Sequence, residues 1–466
     1  MTASEDGMHL WSARDTAKAI AGREVSASSV ADAYLARIQR YNGEVGAVVS
    51  LDEEGARSAA AAADETLAQG QGHRVGPLHG VPMTLKDAHD IAGMRTTVGT
   101  TVLDRVPHED GAVAARLRAA GAILIGHSNV PPWLADYETT NPIFGRTANP
   151  WDPARTPGGS SGGAAAALAA GMTPLDIGSD LAGSARLPAS FCGVYGLKTT
   201  EHRVPLTGFL REPEGIPRTV RIASCIGPLA RDLDDLRLAL DLISGPDGRD
   251  SDVPPVPLDT PEERPLAGLR LAVAPTVPGA DVAPDVRARI VRLAEDAAEA
   301  GARVEQALPD VDWEGQQTLF ADLFAALIGA ADPDAPLPDE QRTLLWYFRA
   351  LQRRDAFIRE WEEFFAGIDA LLLPAAASTA FPHGEGRGGN GNDTVTLTGY
   401  PDQERLLAFS NLAGLPGLAV PAGLSEVDGL PIGAQLVGPR WSEARLLGIA
   451  GSLERAGVLP GFQARP

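Results

Sequence analysis

Behind Ser26, Val30, Tyr34 and Ile38 recur every four positions, the period of one helix face, and Ser26 is a residue type that starts helices. An Ala-rich run over 52–69 stops at Gly70, so residues 1–70 are predicted to be mostly helical, interrupted by a short apolar strand in VGAVVSL at 45–51. Beyond them the period changes. VPMTLKD (81–87) and AILIGH (122–127) are apolar runs of strand length, with a helix predicted at 111–120 between them. LRLAVAP (269–275) predicts another strand and is followed by an amphipathic helix over about 283–301. LPGLAVPAG and LPIGAQLVG resume the pattern before a closing helix. Apolar strand runs alternating with helices predict an α/β fold with a largely buried sheet. Residues 315–367 read as one long helical stretch carrying Trp346, Tyr347, Phe348, Phe357, Trp361, Phe364 and Phe365, a spacing that favours core over pocket wall. A Pro/Asp-rich surface connection is predicted over 246–266 and a mobile Gly/Asn-rich run over 384–399, with no internal repeat.

Composition narrows the classes of function. A hydrophobic content of 44% with 22% charged residues describes an ordinary globular chain. No apolar run reaches about 18 residues, and the start MTASEDGMHLW is acidic and polar, so neither membrane insertion nor a Sec-type leader is expected. A formal charge of −21 opposes nucleic acid as a partner. Cys192 and Cys225 sit in no CxxC or Cys/His cluster and are expected to be buried thiols in a reducing, cytoplasmic compartment. Only three of the 40 basic residues are lysine, at Lys18, Lys86 and Lys198. A desolvated lysine can become neutral and accept a proton, which arginine cannot.

Between Gly158 and Gly196 the chain is dense in Gly, Ser and Ala. PGGSSGGAAAALAAGM reads as a glycine loop feeding a short helix, and PLDIGSDLAGSARLPASFCGVYGLK as a strand running into a second Gly/Ser loop. The GGSSGG run lacks the GK[ST] ending of a phosphate loop and has no lysine within 30 residues. AGSAR around Ser184 is not a GxSxG elbow, and the eight histidines fall in no triad motif, although triads assemble from distant segments and one stays open here. Lysine is the other known activator of a serine nucleophile.

Taken together these stretches resemble the amidase signature family of serine hydrolases. Pro157–Lys198 is similar to the family's core stretch and GVPMTLKD (Gly80–Asp87) to its lysine-bearing strand. TANPWDP, CIGPLARDLDD (225–235), LAGLPGLAVPAG and GLPIGAQLVG extend the likeness over nearly the whole chain. The resemblance implies a single large α/β domain over 1–466, with a mixed central β-sheet covered by helices on both faces. Within it lie a helical part (1–70), a catalytic core (71–245), a surface connection (246–268) and a C-terminal part (269–466) in which 315–367 is a candidate pocket lining. It also implies Lys86 as base, Ser160 as a bridging serine after a cis peptide bond, and Ser184 as nucleophile. The backbone N–H groups of Leu181, Ala182, Gly183 and Ser184 would form the oxyanion hole. No metal and no organic cofactor is implied. The expected partner is a small amide, anilide or carbamate, with no nucleic acid or membrane, and a homodimer is an assembly the resemblance allows.

The chemistry sets conditions. Lys86 must be neutral to take the Ser184 proton through Ser160, so its pKa must fall from about 10.4 to about 7–8, at a cost of about 4 kcal/mol. Val81, Met83 and Leu85 suit such burial, and Asp87 should point to the opposite strand face. One departure is Ala182-Gly183 where many members carry Gly-Gly; alanine would be strained only at positive φ. Arg186 is expected to anchor the loop, and Ser161 to cap the helix near Gly162 or support the site. Lys198 is expected to be structural and Cys192 a packed thiol, while His79 and His89 flank the lysine strand without a role. The leading function is hydrolysis of linear amides, a C–N bond other than a peptide bond. A urethanase, an aryl acylamidase or a nylon-type oligomer hydrolase would use the same residues. A partner-dependent glutamine amidotransferase subunit fits less well, because the loop reads DLAGS where that subfamily usually reads DTGGS.

Overall fold

Ser26 accepts a hydrogen bond from Ser29 N and starts a helix that buries Val30, Tyr34 and Ile38, as its spacing predicts. The computed structural model describes residues 5–70, 75–210, 220–260, 265–331, 337–384 and 400–464; most of the predicted mobile run 384–399 lies outside them. The helices are α1 (Ala13–Ala21), α2 (Ala27–Val45), α3 (Glu53–Ala68), α4 (Ala112–Ala119), α5 (Gly162–Ala169), α6 (Arg186–Cys192), α7 (Leu233–Ile243), α8 (Pro284–Glu299), α9 (Trp313–Ala331), α10 (Leu344–Phe365), α11 (Pro401–Leu412) and α12 (Glu443–Arg455). The strands are β1 (Val48–Val49), β2 (Pro82–Lys86), β3 (Ile123–Ser128), β4 (Thr140–Asn141), β5 (Gly145–Arg146), β6 (Leu175–Asp180), β7 (Tyr195–Lys198), β8 (Cys225–Ala230), β9 (Arg270–Val273), β10 (Arg303–Gln306), β11 (Ala370–Pro374), β12 (Gly417–Leu424) and β13 (Pro431–Val437).

All but the β4–β5 hairpin join one sheet of 11 strands in the order β1-β3-β2-β6-β8-β7-β12-β13-β11-β9-β10. The sheet is mixed: β2 runs parallel to β3 and β6, whereas β6, β8, β7, β12 and β13 alternate in direction. Helices flank it, and the inner strands such as β2, β3 and β6 bury both of their faces, which is why they read as apolar runs without strict alternation. One register fixes the position of the chemistry. Thr84 lies opposite Asp176 and Leu85 opposite Ile177, so the end of β2 lies beside the middle of β6, just before the strand reaches Ser179 and Asp180.

The predicted helical stretch 315–367 is two helices, not one. Among the described residues Pro338 lies between α9 and α10, and Thr343 caps α10 by accepting from Trp346 N at 3.2 Å. The aromatics divide accordingly. Trp361 is fully buried and stacks on Phe409 with centroids 4.7 Å apart, whereas Phe348 stays 58% exposed.

Candidate active site

Lys86 ends β2 with its side chain fully buried, and its amine donates to three hydroxyls: Ser160 Oγ at 2.7 Å, Ser161 Oγ at 2.8 Å and Ser179 Oγ at 2.8 Å. An ammonium has three N–H groups and fills these three acceptors. A neutral amine has two N–H groups and a lone pair, so one hydroxyl must then turn and donate to nitrogen. Ser161 is the least free to turn, because its hydroxyl also contacts the Ser179 carbonyl at 3.3 Å. That leaves Ser160 and Ser179. Burial lowers the Lys86 pKa from 10.5 to about 7 despite the opposing pull of Asp180 and Asp176. Asp176 accepts from Thr84 Oγ1 at 2.6 Å, and burial raises its carboxyl to about 6. Asp87 faces the other way and accepts from Thr97 N at 2.8 Å, as strand alternation predicts.

Ser160 and Ser161 lie where the glycine loop meets α5, and the Gly159–Ser160 peptide bond is cis. Ser161 occupies the N-cap position but makes no capping bond; its side chain serves Lys86. Gly178 leaves the room for this, since a Cβ there would lie 2.7 Å from Ser161 Oγ. Ser161 N donates to the Ser184 carbonyl at 3.0 Å, which ties the loop bearing Ser184 to the one bearing Ser160.

The Ser184 loop is built around Asp180. Its carboxylate accepts from Gly183 N at 2.7 Å and Ala185 N at 3.2 Å, and from Arg186 Nε and Nη2, both at 2.9 Å. Burial alone would raise this carboxyl, but Arg186 outweighs it and holds the group well below the ordinary carboxylate range. Arg186, itself fully buried, also donates to Ser410 Oγ, Gln435 Oε1 and Asn411 Oδ1 at 2.7–2.9 Å, so it anchors the loop as expected. Among the described residues the N–H groups of Leu181, Ala182 and Ser184 have no protein acceptor, whereas that of Gly183 is turned onto Asp180. Gly183 takes positive φ (105°), and Ala182 does not, so alanine at 182 carries none of the strain that position would otherwise impose.

Beside Leu181 lies a small apolar recess lined by Ile222, Phe320, Leu323, Phe324 and Leu327. Arg354 also reaches it, with its charge matched by Glu201, both of whose oxygens accept from Nη2 at 2.7 Å. α9 thus supplies the aromatic lining, while α10 adds Ala350, Phe357, Trp361 and Phe365 to the core from one of its faces.

Other side chains take the places expected of them. Lys198 donates to the Leu415 carbonyl at 2.6 Å, and Cys192 and Cys225 are free and buried. His79 bonds the Ala63 carbonyl through Nε2 at 3.1 Å, and His89 packs on Phe209, where burial pushes its pKa down to about 3. Sequence reasoning passed over Ser179, whose signal is a polar residue at the end of an apolar strand before a glycine loop. It also passed over Tyr137, 47 positions before Ser184, whose surroundings give no signal at all.

The amidase family profile matches residues 29–331 and 334–447. An indoleacetamide hydrolase from Bradyrhizobium diazoefficiens is 35% identical over 470 residues, covering 96% of this chain and 87% of that protein. A glutamyl-tRNA(Gln) amidotransferase subunit from Anaeromyxobacter sp. (strain K) is 33% identical over 495 residues, covering 96% of both. The solved structure of 6-aminohexanoate cyclic dimer hydrolase in complex with substrate superposes with a TM-score of 0.80 at 28% identity, covering 97% of this chain and 98% of that one.

Proposed function

This chain belongs to the amidase signature family, and on that premise we propose that it hydrolyses small amides through an acyl-enzyme on Ser184. Membership supports a hydrolase acting on C–N bonds. The observation that carries the finer reading is the buried Lys86 amine, 2.7 Å from Ser160 Oγ, with a pKa brought to about 7. A base with that pKa is half neutral near neutral pH, where proton transfer is most effective.

In this reading Ser184 Oγ attacks the carbonyl carbon while its proton passes to Ser160 and the Ser160 proton to Lys86. The oxygen of the tetrahedral intermediate gains the charge and accepts from backbone N–H groups among those of Leu181, Ala182 and Ser184. Collapse breaks the C–N bond, and Lys86 returns its proton through Ser160 to the departing nitrogen. Water then repeats the sequence on the ester, releasing the acid and restoring Ser184. No step calls on a metal or an organic cofactor. Two buried, unpaired thiols suit a reducing compartment such as the cytoplasm.

The recess beside Leu181 favours amides carrying a neutral apolar group, such as aryl acylamides, over acetamide. The test is Ser184→Ala together with a panel of amides, anilides, carbamates and esters. The variant should lose turnover and labelling by a fluorophosphonate, and an active variant would refute the mechanism.

A second reading, in which the chain works as one component of a partner-dependent amidotransferase, is favoured by the 33% identity to the Anaeromyxobacter protein over 96% of both chains. A charge of −21 weighs against direct contact with tRNA. Hydrolysis by the chain purified alone separates the two.

A further inference from the structure

Ala182 and Gly183 share one peptide unit, and both of its polar ends are held. Its N–H donates to Asp180 Oδ1 at 2.7 Å, and its carbonyl accepts from the hydroxyl of Tyr137. A trans peptide points its C=O and N–H in opposite directions, so these two bonds together fix the rotation of the unit about the chain. With the Gly183 N–H directed at Asp180, the neighbouring N–H groups of Ala182 and Ser184 have no protein acceptor among the described residues. Resting on the reading of Ser184 above, we infer that Tyr137 is a positioning residue: it clamps the 182–183 peptide so that its neighbours, and not Gly183 itself, donate to the developing oxyanion.

Three observations show that this hydroxyl is delivered by rigid structure. Tyr137 is fully buried, and its ring packs edge-on against Tyr400 at 5.3 Å, which stacks on Phe381 at 5.3 Å. The backbone that carries it is held in an uncommon conformation. Trp133 and Leu134 have φ of 57° and 60°, and Trp133 N donates at 3.0 Å to the carbonyl of Val98, itself at φ 55°. Bulky and β-branched residues keep such angles only where surrounding structure enforces them. Finally, the same segment touches the other loop of the site. A Cβ on Gly159 would lie 2.4 Å from the Asp136 carbonyl oxygen, and Thr139 Oγ1 donates to the Gly158 carbonyl at 2.8 Å. One strap thus sets the Ser160 loop with its backbone and the Ser184 loop with a hydroxyl. A carbonyl can only accept, so the phenol must donate; burial, which raises its pKa, keeps that proton in place.

Tyr137→Phe removes the donor and keeps the ring. We expect kcat on 4-nitroacetanilide to fall about 10–100-fold, less than the loss from deleting an oxyanion donor outright. KM should stay within about two-fold, since a contact that matters only in the transition state leaves ground-state binding alone. Affinity for phenylboronic acid, whose adduct places a charged oxygen in the same hole, should fall with kcat, while the pH midpoint set by Lys86 stays in place. Incorporation of 3-fluorotyrosine at 137, which preserves the fold and strengthens the donor, should hold kcat at or above wild type. Wild-type kcat in Tyr137→Phe, unchanged boronate affinity, or a kcat loss accompanied by a displaced pH midpoint would overturn the clamp. Ser184→Ala run in parallel separates the failures. If it stays active, the reading of the whole site is wrong; if it is inactive while Tyr137→Phe is unimpaired, only the clamp is wrong.

Discussion

The three hydroxyls around Lys86 make the pH profile a sensitive probe, and Ser179→Ala is the perturbation to apply. In the wild type the rate of acylation should follow the neutral fraction of Lys86, with a midpoint near the pKa of about 7. Two pH units below that midpoint only about 1% of the amine is neutral, and the rate should fall to match. Ser179 Oγ accepts from the amine at 2.8 Å, and a hydrogen bond to a charged donor contributes about 1.5–3 kcal/mol. Its loss weakens the charged form more than the neutral one, because the bond is charge-assisted only while the amine is protonated. The midpoint should therefore move to the acid side by about 1 unit, with the plateau rate largely kept. The assay is the rate of Ser184 labelling by a fluorophosphonate between pH 5 and 10, which reads acylation without product release. A wild-type midpoint near that of an ordinary lysine would refute the buried neutral base. An unmoved or alkaline-shifted midpoint in Ser179→Ala would refute the role given to that hydroxyl. Lys86→Arg serves as the control and should be as inactive as Lys86→Ala, because arginine has no accessible neutral form.

Stability should carry the same signature. The unfolded chain keeps the Lys86 proton up to about 10.5 and the folded chain only to about 7, so the unfolded state binds more protons between those values and folding gains with pH across that window. Below pH 7 the full penalty, about 4–5 kcal/mol, is present; Lys86→Met should remove the Lys86 part of this slope in denaturant titrations. Gly183→Ala should cost both activity and stability, since a Cβ at φ 105° would lie 2.3 Å from Leu407 Cδ1; Ala182→Gly, at a position without positive φ, should be tolerated by both measures. Arg186→Met leaves Asp180 buried without its cation and should lower stability by about 3–5 kcal/mol in urea melts. Prolonged dialysis against EDTA should leave kcat unchanged, as no step in the proposed mechanism uses a metal.

What the sequence determined by itself was local. The helix periods, the apolar strand runs and the two Gly/Ser loops are dictated by residue type and short-range spacing, and they emerge at Ser26, β2, β6 and α5 nearly where predicted. The scarcity of lysine and the motif resemblance sufficed to single out Lys86, Ser160 and Ser184. One local signal was missed: the sequence places three prolines within 333–338, a spacing that argues against one continuous helix over 315–367, although the hydrophobic pattern on either side looks continuous. Only the tertiary structure decided what surrounds those residues. Whether Lys86 would be neutral depended on complete burial winning against two aspartates, a balance set by the β2–β6 register. Whether alanine at 182 would be strained depended on which of two adjacent residues takes positive φ, and Gly183 takes it. Asp180 looked like the end of a strand, yet it ties Arg186 and Gly183 into one loop, and Arg186 reaches on to Ser410, Asn411 and Gln435, more than 220 positions away. Contacts across such distances leave no period or spacing in the chain. Hydrogen bonds like that of Tyr137 to Ala182 are written only where the sheet brings remote loops together.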